Sequence, residues 1–397
     1  MSDKMDDKSS NIFRQFQTDT PWLSFQADLS KALPSLWMTL GEISSKCEHI
    51  AGVPMDLKTA DELHQLYLAK GVHATTAIEG NTLTEQQVLE VIDSQMLAAS
   101  LEYQHIEVEN IIGVCNEITN DVRLNNNPPL SGDRIKEFNR RVLGGLELDQ
   151  HVIPGEVRTY SVMVGRYRGA PAEDCEHLID RMCAWLNGKA FTAPKGQEIP
   201  FAVIRAVVAH LYIAWIHPYG DGNGRTARLV EFSILSASGV PSPAAHLLSN
   251  HYNLTRPMYY RELEAASKSG GDIKPFLTYA SGGFLDGLRE QSTVIRDYQW
   301  NLVWRHFIEQ QFEDKPRESD QRRRRLAIDI AKVGRPVSRN AVAQVSTRVA
   351  LTYATKAGRT IQRDVDQLKE MKLLIEEGGM ISANRKLVLN WLPARSS

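Results

Sequence analysis

Cysteine is scarce in this chain. Its 397 residues hold four, Cys47, Cys115, Cys175 and Cys183, with no CxxC pair and no Cys/His spacing of a zinc site. That pattern excludes a disulfide scaffold and points to a reducing, cytoplasmic setting. Glycine (26) and proline (17) show neither period nor excess, which excludes collagen-like and low-complexity chains. Long apolar runs are missing too. The longest, Phe201–Ile216, is broken by Arg205 and His210, so it reads as a buried helix and no membrane partner is expected. The polar, acidic start MSDKMDDKSSN lacks the apolar core of a signal peptide.

The remaining composition is that of a globular protein: 42% hydrophobic and 24% charged. The length predicts two or three domains. The net charge of -2 conceals an asymmetry. From Arg317 onward 17 Lys and Arg face 8 Asp and Glu, a net of +9, and the remainder carries -11. A basic C-terminal piece on an acidic body suggests a separate domain with an anionic partner.

Helical patterns dominate. Apolar positions at Leu63, Leu66, Leu68, Val72 and Ile78 predict a helix over 57–79, stopped at Gly80-Asn81. Thr84 and Gln87 predict a capping box opening the next helix, and Ser131 caps another. The one strand signal lies between Pro154 and Ala170, with Val157, Tyr160, Val162 and Val164 in partial alternation. A short hairpin in a helical body predicts a surface flap.

The informative stretch is His217-Pro218-Tyr219-Gly220-Asp221-Gly222-Asn223-Gly224-Arg225-Thr226-Ala227-Arg228, set between two apolar helices. Gly222, Asn223 and Gly224 let backbone N–H groups converge where the second helix begins, which makes an anion site. Asp221 is a hard oxygen ligand suited to Mg²⁺ or Mn²⁺ beside phosphates. Arg225 and Arg228 share a helix face and can grip phosphate oxygens. His217 is suited to take a proton from a hydroxyl. Together they form a phosphate-transfer constellation.

This segment resembles the signature of the Fic family, HPFx(D/E)GNGRxxR, departing only at Tyr219, where Phe is usual. The match resembles the nucleotidyl-transferring branch rather than the Doc kinases, which lack the second glycine of the nest. Further segments agree. Arg158, Thr159, Tyr160, Ser161, Val162, Met163 and Val164 resemble the flap that holds a target segment by strand addition. Arg256-Pro257-Met258-Tyr259-Tyr260 resembles the helix whose tyrosines line the adenine pocket, although both rings suit plain packing equally. Thr75, Glu79 and Gly80 fit the inhibitory pattern (S/T)xxxE(G/N), whose Glu pairs with the second signature arginine, here Arg228.

The resemblance implies a mainly α fold: a Fic helical bundle with a short β-hairpin flap. The tail, with helices at 319–335 and 361–371, Arg322–Arg325 exposed, and a hairpin closing on Leu387-Val388-Leu389, resembles a winged helix-turn-helix. The organisation expected is a disordered start (1–20) and a helical region (21–110) with the inhibitory helix at about 60–80. A catalytic domain (111–312) and the winged helix (319–395) follow. The activity implied is transfer of AMP from ATP to a Tyr, Ser or Thr hydroxyl of a protein, the enzyme itself included. His217 is then the base, and Asn223 and Arg225 complete the catalytic set. Three alternatives stay open: another donor such as UTP or GTP, removal of AMP from a modified protein, and a DNA-binding regulator with a nucleotide-sensing core. A homodimer is a family-level expectation.

Overall fold

The computed structural model describes residues 14–165 and 167–389. The chain divides into two compact units at Ser292/Thr293.

The first unit is almost wholly helical. Its centre is the helix Glu198–Ile216, packed against Asn223–Ala237. Glu198–Ile216 is long and apolar enough by composition to cross a membrane, but most of it is buried inside the unit. Around this pair lie Leu57–Ile78, Glu102–Arg123, Gly132–Val142 and Ala172–Leu186. Two expected caps form, at Thr84 and Ser131, and Asp56 adds a third outside those expectations. Asp56 accepts from the Thr59 N–H, Thr84 and Gln87 form the predicted capping box, and Ser131 accepts from the Arg134 N–H. The four cysteines are free and buried, and burial pushes Cys175 up to about 11 and the other three thiols to about 12.

Two expectations need correction here. Residues 14–20 are not disordered: Phe16 is buried and its N–H donates to Asp174 Oδ2 at 2.8 Å. Residues 1–13 lie outside the described residues. The hairpin is also shorter than the alternation suggested, only Met163–Val164 against Tyr167–Arg168. Arg158 explains this. Its buried guanidinium collects the carbonyls of Tyr160, Ala170 and His217, which fastens the chain there to the body, and before Met163 the Val162 carbonyl still accepts across the hairpin from the Gly169 N–H at 3.2 Å.

The second unit begins at Thr293, earlier than the expected boundary at 319. The reason is its core, in which Trp300, Trp304, Ile308 and Phe312 pack with Leu326, Ile330 and Leu368. Helices Glu318–Lys332, Thr347–Ala354 and Gly358–Glu370 accompany a three-stranded antiparallel sheet. Strand Met380–Ala383 lies in its middle, between Val337–Ser338 and Leu374–Glu377. Leu387 and Val388 belong to a helical turn, not to the hairpin, which turns at Gly378-Gly379 with both φ positive. Residues 390–395 lie outside the described residues. Arg322 and Arg323, expected to be exposed and free, both bond the buried Asp364 carboxylate.

Candidate active site

The loop after Glu198–Ile216 is built to aim one side chain. His217 ends that helix in the left-handed region (φ 50°, ψ 59°), its N–H donating to Ile213 O at 2.9 Å. A non-glycine residue there is disfavoured, and surrounding contacts must hold it. Arg158 Nε supplies one, at 2.8 Å from the His217 carbonyl. The chain then turns through Gly222 (φ 75°), where a Cβ would crowd Asn139 Nδ2 and Leu143. Asn223 braces the turn from within: its side chain accepts from the Tyr219 N–H at 2.9 Å and donates to the Tyr219 carbonyl at 2.8 Å.

Helix Asn223–Ala237 starts there without a side-chain cap. Its first N–H groups and the positive end of its dipole are therefore available to an anion. That end opens on a cavity of about 510 Å³. Its lining includes the polar His217, Asn223 and Glu79 beside Gly224, and the apolar or aromatic Ala214, Trp215, Leu263, Tyr259 and Tyr260. Val164 and Gly165 of the hairpin form part of the rim.

Burial, together with the Arg158 charge, pushes the His217 pKa down to about 4. The imidazole is therefore neutral at physiological pH, with a lone pair to accept a proton.

The two arginines are both buried but differ in their surroundings. Arg228 donates to Thr75 Oγ1 (2.7 Å), the Thr75 carbonyl (3.0 Å) and Glu79 Oε1 (2.6 Å). Its Nη1 is buried with no hydrogen-bond partner among the described residues. A buried donor without an acceptor marks a place where one belongs. Arg225 bonds through both Nη atoms, to Glu107 Oε1 (2.6 Å) and Asp221 Oδ1 (3.0 Å), while its Nε is buried with no partner among the described residues.

Glu79 caps the end of Leu57–Ile78, before Gly80 at φ 105°. Burial acts to raise its pKa, but the Arg228 guanidinium, with the charges of Arg225 and Arg256, holds the carboxyl below its usual range. The carboxylate lies against Gly224, where a Cβ would collide with Oε1. It therefore sits on the anion site itself.

The tyrosines divide. Tyr259 is buried, its hydroxyl 2.8 Å from His210 Nε2, while Tyr260 is half-exposed. Both line the cavity. Arg158, expected among the target-positioning residues, instead points inward as the anchor of the hairpin's root. Met163 and Val164 remain exposed. Asp221 is half-exposed beside the anion site. Among the described residues no group of three or more His, Cys, Asp or Glu is placed to hold a metal. Asp221 Oδ1 accepts from Arg225 and from the Gly222 N–H, which leaves Oδ2 as the oxygen that could meet an ion whose other ligands are phosphate oxygens and water.

Residues 129–235 match the Fic/DOC family. This chain carries a Fic domain. Across 212 residues it is 34% identical to a protein adenylyltransferase fic-1 of Caenorhabditis briggsae, covering 53% of this chain and 38% of that one. A protein adenylyltransferase Fic of Nematostella vectensis is 27% identical, with 64% and 57% covered. The chain thus spans less than two thirds of the length of these curated relatives. The solved Fic-1 (residues 134–508) of C. elegans superposes with a TM-score of 0.53 at 26% identity, covering 66% of this chain and 73% of that one. A Fic family protein from Desulfovibrio desulfuricans G20 shares the fold over 92% and 98% of the two chains, at 18% identity and a TM-score of 0.56.

Two residues that support the Fic loop escaped the sequence reading. Asn139, fully buried, donates to the Asp221 carbonyl at 3.0 Å and accepts from the Gly155 N–H at 2.9 Å. Glu107 holds Arg225. Each is a polar residue on an otherwise apolar helix stripe, with Ile135 and Val142 around one and Ile111 and Val114 around the other. That exception was the available signal.

The departure at Tyr219 leaves its own trace. The ring is buried as expected, but its hydroxyl finds no partner among the described residues. An unsatisfied buried hydroxyl costs about 1–3 kcal/mol. Tyr219→Phe should therefore unfold at an unchanged or higher temperature; a fall in the calorimetric midpoint would mean that the hydroxyl is bonded.

Proposed function

We propose that the chain transfers AMP from ATP to a protein hydroxyl, and that Glu79 restrains it. The observation that carries this reading is the position of the Glu79 carboxylate. A side-chain anion occupies an uncapped helix start, bonds one arm of Arg228 and leaves another arm unsatisfied, in a cavity that also holds a neutral imidazole. The names of the relatives support the same activity.

In this reading the triphosphate lies along Gly222–Gly224, with its terminal phosphate at Arg228 once Glu79 withdraws. His217 accepts the proton of the target hydroxyl. The oxygen forms a bond to the α-phosphorus, and the bond from that phosphorus to the bridging oxygen breaks, releasing pyrophosphate. The target backbone pairs with the exposed Met163–Val164 edge. Asp221 would hold Mg²⁺, which neutralises phosphate charge when bound. Arg225, held by two carboxylates, serves chiefly to fix Asp221, and Asn223 to fix the loop. Tyr259 and Tyr260 flank the base. Catalysis is then mainly positioning and electrostatics.

The test is transfer from ATP labelled at the α-phosphate, beside ATP labelled at the γ-phosphate. Label retained on protein only from the α position supports nucleotidyl transfer; retention from the γ position would make the protein a kinase. UTP, GTP and CTP in parallel identify the donor. Release of AMP from labelled protein would expose the reverse, hydrolytic activity.

We also infer that the second unit is a winged helix, on its order of helix, strand, two helices and hairpin. Arg322 and Arg323 are spent on Asp364, which favours a protein-docking role over DNA binding.

A further inference from the structure

Glu107 lies deep between the turn after Leu57–Ile78 and the start of Asn223–Ala237. It is 3% exposed, and both carboxylate oxygens are engaged. Oε1 accepts from Arg225 Nη1 at 2.6 Å, and Oε2 accepts from Asn81 Nδ2 at 2.7 Å. Asn81 follows Glu79 by two residues, in the same turn. Its Oδ1 accepts from the Leu83 N–H at 2.9 Å, and its Nδ2 also reaches the Gln104 carbonyl at 3.2 Å. One buried carboxylate therefore joins the turn that carries Glu79 to the first arginine of the Fic loop.

We propose that Glu107 is a positioning residue that clamps the Glu79 turn to Arg225, so that release of the restraint requires the Asn81–Glu107 bond to give. The proposal rests on the functional reading above. The clamp is distinct from the Glu79–Arg228 pair. It reaches a different arginine through a different residue, and it lies behind the turn rather than in the cavity. Its strength follows from its setting. A hydrogen bond to a buried carboxylate is charge-assisted, and breaking it leaves that carboxylate short of a donor. The Glu79 turn is thus held from two sides, and loosening either should favour nucleotide.

The chemistry offers a swap. Asn81→Asp keeps an acceptor for the Leu83 N–H but sets a second carboxylate against Glu107. Glu107→Gln keeps an acceptor for Arg225 but sets an amide donor against the Asn81 amide. Each single change should break the clamp. Together they restore the bond between positions 81 and 107 with reversed polarity, because the new amide can donate to the new carboxylate while its oxygen still accepts from Arg225; the Gln104 carbonyl loses the donor that Asn81 gave it.

The experiment is calorimetric titration of ATP into the full chain. Asn81→Asp should tighten binding about tenfold. The double swap should return affinity most of the way to that of the unchanged protein, and Asn81→Asp added to Glu79→Gly should change affinity less than about twofold. If Asn81→Asp folds poorly, Asn81→Ser removes the donor without the repulsion and is held to the same comparison. The clamp is overturned if Glu79→Gly tightens ATP binding while Asn81→Asp and Asn81→Ser do not. It is equally overturned if the double swap binds ATP as tightly as Asn81→Asp alone. Should Glu79→Gly itself bind ATP no better, the restraint reading fails first and the clamp falls with it.

Discussion

Glu79→Gly should bind ATP about 10–100 times more tightly and label itself and its targets far faster, a gain of about 1.4–2.8 kcal/mol in nucleotide binding. The change removes an anion from the helix start and from Arg228, the two features a terminal phosphate would use. It also leaves Arg228 held by Thr75 alone. The Glu79 side chain is 31% exposed, so solvent tempers that loss. The variant should be less stable without nucleotide by about 1 kcal/mol or less. ATP should more than restore it, because a ligand that binds only the folded state stabilises in proportion to its affinity. The measurements are ATP titration, label transfer and the melting midpoint with and without ATP. Equal ATP affinity in the two proteins would reject restraint by Glu79, whatever the transfer rates.

His217→Ala, made in the Glu79→Gly background, should lower transfer by about 10²–10⁴-fold. ATP affinity should hardly move, since the phosphate contacts lie on other residues. Retained transfer would remove His217 from the chemistry. A pH profile gives independent information. An ordinary histidine, with a pKa of about 6.5, would lose its capacity to accept a proton across the neutral range. With its pKa pushed down to about 4, His217 should sustain transfer until the pH approaches that value. A sharp fall in kcat/KM between about pH 7 and 6 would contradict the environment described here. The same shift bears on stability. The unfolded chain takes up a proton at His217 before the folded one does. This contribution is therefore present above about pH 6.5 and is lost as the pH falls toward 4.

The Fic loop was legible in the sequence because its residues are contiguous and each has a recognisable chemical use. The Thr75-to-Gly80 pattern was legible only beside that loop, since its partner Arg228 lies 149 positions from Glu79. What stayed hidden were single long-range pairings that leave no spacing. Glu107 meets Arg225 across 118 positions, and Asn139 meets the Asp221 carbonyl across 82. Arg158 read as part of an alternating strand because alternation does not reveal that a cation will turn inward to collect carbonyls. The basic run at Arg322–Arg325 read as solvent-facing for the corresponding reason. Asp364 gave no local hint that it would bury itself beneath that run. The short helix Thr347–Ala354 also escaped, being too brief to display a period. The mainly helical class was plain throughout, because apolar residues at helical spacing recur along the chain.

The four buried thiols provide a direct way to follow opening of the first unit. All lie before Ser292, and the second unit has no cysteine. With pKa values near 11 and 12, almost none is thiolate at neutral pH while folded, and none is reachable by reagent. The rate of alkylation in native buffer is therefore a chronometer for exposure of the first unit alone, blind to the C-terminal unit. Slower alkylation in ATP would register nucleotide occupancy without any label, target protein or turnover.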